Sequence, residues 1–126
     1  MNFLGKVDSI AIILSSICLI HCLAIPILFL VGSTVAMGFF ETELLVHVLL
    51  LMVAAPMSGY ALVIGYRTHR SAIVLYLGLV GLTLMLSGVI FHGQFFLEVV
   101  VTIAGSLVLG LAHIYNLRFT KTRKIS

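Results

Sequence analysis

Four long stretches of this chain carry no Asp, Glu, Lys or Arg: residues 9–40, 44–66, 71–97 and 99–117. They run to 32, 23, 27 and 19 positions. A helix needs about 20 mostly apolar residues to cross a bilayer at 1.5 Å per residue. Each stretch therefore holds one crossing and is too short for two with a turn between them. The apolar runs are continuous, as in Leu49-Leu50-Leu51-Met52-Val53, without the period-two alternation of a membrane barrel. The expected fold class is all-α: an integral membrane four-helix bundle forming a single membrane domain over residues 1–126, with spans at about 9–36, 44–66, 72–92 and 97–117.

Composition agrees. Hydrophobic residues make up 62% and charged residues 9%, against about 45–50% and about 25% in soluble domains. A soluble chain of this size cannot hide so much apolar surface. That excludes an ordinary soluble enzyme, a disordered chain and a nucleic-acid-binding module, and makes the lipid bilayer the main partner. Two cysteines are too few for a secreted disulfide framework. No nucleophile elbow, P-loop or zincin motif is present, so the chain is not expected to be an enzyme.

All seven cations fall on one side of a four-span arrangement. Lys6 precedes the first span, Arg67 and Arg70 separate the second and third, and Arg118, Lys121, Arg123 and Lys124 follow the fourth. Glu41, Glu43 and Glu98 occupy the other connections. The positive-inside rule then places both termini in the cytoplasm. A cleaved signal peptide ending near Thr34-Val35-Ala36 is the competing reading of the first span, but its apolar stretch far exceeds the usual 7–15 residues. Small-xxx-small pairs at Ala55/Gly59, Ala61/Gly65 and Ser106/Gly110 suit close helix packing. The sequence leaves an oligomer open.

Cys18-Leu19-Ile20-His21-Cys22 is the one dense cluster of metal-ligand types. Positions three and four apart share a helix face, so both thiols and the imidazole lie together, near mid-membrane. Such soft donors suit a thiophilic cation such as Cu(I) or Zn(II). Pro26 lacks an N–H and frees the Cys22 carbonyl of its helical bond. The bland alternative is packing, since unpaired Cys is among the most buried residue types; ionisable groups in a membrane are more often functional. His47, with Glu43 one turn before it, is a candidate ligand at the outer mouth, with Glu41 and Glu43 drawing cations in; otherwise these are interfacial and loop residues. His113, with Asn116 three residues on, is either an exit site or a polar helix contact. His92 is expected to cap the outer end of the third span, His69 to sit in a solvated turn, and Asp8, with Ser9 as the alternative, to N-cap the first span.

Cys18-Leu-Ile-His-Cys22 with Pro26, then Glu43 and His47, Gly65-Tyr66-Arg67-Thr68-His69-Arg70, and Gly105-Ser106 with Ala112-His113-Ile114-Tyr115-Asn116-Leu117-Arg118 together resemble the MerC family. The resemblance covers nearly the whole chain. It implies a four-span protein of the bacterial inner membrane that carries mercuric ion, with Cys18 and Cys22 as its ligands and His21, His47 and His113 at recurrent polar positions. The chain differs from the founding mercury transporters in its C-x-x-x-C spacing and in a C-terminal tail without thiols.

Three functions follow as expectations. The first is a facilitator for a soft divalent metal ion, mercuric ion before zinc or copper. It binds through Cys18, Cys22, His21 and His47, with Glu43 and His113 toward its two ends, and keeps no permanent cofactor. The second is a haem or redox carrier using histidines such as His47 and His92. The third is an accessory membrane subunit without chemistry.

Overall fold

The computed structural model describes residues 3–30 and 34–125; for residues 4, 15, 18, 19, 21–23, 25, 26, 28–30, 34–43 and 124 it describes the backbone alone. Four helices follow one another: α1 (Phe3–Leu30), α2 (Thr34–His69), α3 (Ala72–Ile90) and α4 (Phe95–Ile125). No strand occurs among the described residues. Three helices there are long and apolar enough to cross a membrane, over Leu44–His69, Ala72–Ile90 and Phe95–Arg123. α1 has 28 residues, about 42 Å at the helical rise.

The helices overrun the uncharged stretches. Thr34–Ala36, expected at the end of the first span, instead open α2, and α1 stops at Leu30. Residues 31–33, between α1 and α2, lie outside the described residues. α4 runs on through Arg118, Lys121 and Arg123, because Lys and Arg are good helix formers and a helix keeps its backbone bonded on either side of a lipid boundary. Pro56 sits inside α2, where it removes the partner of the Met52 carbonyl.

Two short turns set the order of the bundle. α2 ends where Arg70 takes a left-handed conformation, φ 58°, and its N–H bonds the Tyr66 carbonyl at 2.7 Å. That is the αL stop usually made by glycine. Ser71, extended at φ −89° and ψ 103°, then starts α3 without a side-chain cap. At the other end Phe91 N–H bonds Ser87 O at 2.9 Å and Gly93 turns at φ 95°, so that α4 folds back along α3.

α3 and α4 approach closely through glycine. A Cβ on Gly81 would meet the Leu109 backbone, one on Gly105 would meet Met85 and the Gly81 carbonyl, and one on Gly88 would meet the Thr102 hydroxyl. Leu51, Leu62, Val74, Met85, Leu109 and Ala112 form the buried core. Among the described residues of α1, Val7, Asp8 and Ala11 are buried, while Ile10, Ile13, Ile17, Ile20 and Ile27 face outward.

Candidate functional site

The side chains of Cys18, His21, Cys22, Pro26, Glu41 and Glu43 lie outside the described residues, so their contacts do not enter the geometry below. Among the described residues, no group of three or more His, Cys, Asp and Glu is arranged to hold a metal ion.

Two buried polar clusters stand at opposite ends of the bundle. The first joins α1, α2 and α4 near the basic residues Lys6, Arg67, Arg70 and Arg118. Asp8 Oδ1 lies 2.8 Å from His113 Nδ1, and Ser58 Oγ lies 3.0 Å from His113 Nε2. Asn116 Nδ2 donates to Asp8 Oδ1 and Oδ2 at 3.0 and 2.9 Å and to the Ala61 carbonyl at 3.2 Å. Its Oδ1 is 2.9 Å from His69 Nε2, and the Ser71 N–H donates to His69 Nδ1 at 3.0 Å.

This cluster revises two expectations. Asp8 does not cap α1, which already begins at Phe3; its carboxylate crosses to α4. His69 is buried at 6% exposure, packed edge-on against Phe119 at 5.7 Å, and is not a solvated turn residue. Buried polar groups take protein partners, and the ring pairs with Asn116. His113 is wholly buried with both ring nitrogens engaged. Gly65 makes room for Asn116, whose amide occupies the space a Cβ would take; the Ala61/Gly65 pair therefore faces α4. A cavity of about 320 Å³ lined by His69, Ser71, Phe119, Thr122 and Arg123 opens beside the cluster.

The second cluster lies at the acidic end. Glu98 Oε1 is 3.5 Å from His47 Nδ1, and Glu98 Oε2 is 3.2 Å from His92 Nδ1. His47 and Glu98 are buried, at 6% and 4% side-chain exposure, whereas His92 is 36% exposed. Both imidazoles present Nδ1 to the Glu98 carboxyl. His92 is thus more than a helix terminus, and the carboxylate the structure brings to His47 comes from α4. Sequence reasoning placed Glu98 in the loop and gave it no role. Its signal was present, since Glu98 is the one charge interrupting residues 71–117.

The match to known proteins spans both clusters. The family of MerC mercury resistance proteins matches residues 8–118. The chain belongs to the MerC family. No curated protein and no solved structure matches it. The MerC match begins at Asp8 and ends at Arg118, so the buried Asp8–His113–Asn116 cluster and the His47–Glu98–His92 cluster both fall within the family region. Membership of MerC, with the apolar helices of the fold, makes this a membrane protein of the mercury-resistance type.

Proposed function

We propose that this MerC-family chain is a facilitator that carries a soft divalent cation, mercuric ion first, across the bacterial inner membrane. Four spans cross the bilayer with both termini in the cytoplasm, an orientation supported by the one-sided Lys and Arg. The acidic end then faces outward. A cation arrives past Glu41 and Glu43, meets His47 beside Glu98, and passes to Cys18 and Cys22 with His21 near mid-membrane. Transfer is ligand exchange between sites, each weak enough to release. With no nucleotide-binding motif in the sequence, the membrane potential and trapping inside supply the drive.

The family match over residues 8–118 carries this reading, and the spacing of Cys18, His21 and Cys22, three and four residues apart as on one helix face, supports it. The test is metal analysis of detergent-purified protein beside the Cys18→Ser/Cys22→Ser double variant, after exposure to mercury, zinc and copper. The parent is expected to retain mercury and the double variant to lose it; equal retention by both overturns the reading.

A further inference from the structure

Charge is unevenly balanced at the basic end of the bundle. All seven Lys and Arg residues belong to it, whereas Asp8 is its single acidic side chain. Asp8 is already engaged by His113 and Asn116. The ion pairs among the described residues all join a histidine to a carboxylate, and none includes a Lys or Arg. An arginine carries five N–H donors and no acceptor, so the counter-charge for this end has to come from outside the chain.

One place at this end is shaped to take it. The cavity of about 320 Å³ is lined by His69 at the end of α2, Ser71 at the start of α3, and Phe119, Thr122 and Arg123 of α4. A water's share of liquid volume is about 30 Å³, so the cavity admits a phosphate group with room to spare. Arg123 supplies a positive charge, and Ser71 a hydroxyl that does not turn back to cap α3. His69, held by Asn116 and the Ser71 N–H, and Phe119, edge-on to it at 5.7 Å, make a fixed wall. The uncapped start of α3 adds the positive end of its dipole.

Phe119 also connects the cavity to the outer surface of α4. It stacks on Tyr115 at 6.1 Å, and exposed aromatic pairs of this kind sit at headgroup level. Leu111 and Leu107 continue the line four residues at a time, each about half exposed. Both leucines line a groove of about 170 Å³ between α1 and α4, with Ile12, Ser16 and Gly110. Phe119 to Leu107 spans about 18 Å at the helical rise, close to the half-thickness of a hydrocarbon core about 30 Å thick. Free phosphate uses the cavity alone; a phospholipid uses the cavity, the aromatic pair and the apolar line below them.

We propose that this cavity binds the phosphate of an anionic phospholipid, whose acyl chain lies along Phe119, Tyr115, Leu111 and Leu107. Arg123 pairs with the phosphate, and Ser71 donates its hydroxyl hydrogen to it. The excess of cations at this end selects an anionic headgroup over a zwitterionic one. The site is separate from the cation path and does not depend on it.

The test is native mass spectrometry of the full chain in detergent, offered equal amounts of phosphatidylglycerol and phosphatidylcholine with the same acyl chains. The parent is expected to retain phosphatidylglycerol several-fold over phosphatidylcholine. Arg123→Gln should abolish that preference. Lys121→Gln, which removes the same charge from an exposed position outside the cavity, should leave it intact. Gln is a good helix former, so α4 survives both changes. No preference in the parent overturns the proposal. Equal losses in the two variants assign the attraction to the basic end at large and overturn the site. Excess inorganic phosphate at matched ionic strength should not displace the lipid; displacement makes free phosphate the ligand and overturns the lipid assignment.

Discussion

Asn116 donates its side-chain amide to both carboxylate oxygens of Asp8, at 3.0 and 2.9 Å, and so pins the start of α1 to the last turns of α4 across 108 residues of sequence. The same amide reaches the Ala61 carbonyl, while Asn116 Oδ1 meets His69. One side chain thereby holds three helices together.

Replacing Asn116 with Leu removes buried partners from Asp8, the Ala61 carbonyl and His69 Nε2. The expected loss of stability is about 2–4 kcal/mol, from several buried groups left short of partners. Gly65→Ala, which drives a methyl into the same amide, should cost about 1–3 kcal/mol. Denaturation midpoints in detergent check both; a neutral Asn116→Leu would show that the cluster does not hold the helices.

Arg70 occupies the left-handed stop of α2, a conformation that costs a residue with a Cβ about 1–2 kcal/mol. Arg70→Gly should therefore raise the thermal midpoint, since the Arg70 N–H to Tyr66 O bond survives the change. A lower midpoint would mean that the guanidinium makes a compensating contact.

The all-helical fold was legible in the charge pattern because long uncharged apolar stretches favour helices, although the stretch 9–40 is shared between α1 and α2. The turns at 70–71 and 91–94 fall where Arg70 and Gly93 stand. The clusters were less legible. Asp8 looks like a cap when α1 is read alone, and His69 looks solvated between two arginines. Their true partners lie on α4, and hydrophobic stretches do not encode which face of one helix meets which face of another. A spacing was readable: His113 and Asn116, three apart, share a face at a depth close to that of Asp8. The glycine seam of Gly81, Gly88 and Gly105 also went unread, because small residues are common in any apolar helix.

Orientation is testable directly. Reporter fusions at Thr42 and Gln94 are expected on the outer side, and fusions at Thr68 and Ser126 in the cytoplasm. A cytoplasmic signal at Gln94 would remove the four-span arrangement.

His47→Ala should slow uptake of mercuric ion with the amount of protein in the membrane unchanged. Glu98→Gln should do the same, since the amide keeps the shape and removes the charge facing His47 and His92. Uptake equal to the parent at matched expression in both variants would make this cluster structural.

Cys18 and Cys22 are expected to act as one chelating unit. Each single Cys→Ser variant should lose nearly as much mercury binding as the double variant, a non-additivity typical of groups that share a ligand. Stability should change little, because Ser can bond back within its own helix. Additive losses would mean that each thiol binds separately.

The reach of the Asp8–Asn116 bond also bears on the order of assembly. A ribosome makes α1 long before α4, so a nascent chain holds Asp8 without its amide partner until residue 116 has emerged. During that interval the carboxylate is best kept near the aqueous boundary, and α1 can seat fully only when α4 arrives. A helix synthesised later, α4, thus completes the placement of one made earlier, α1.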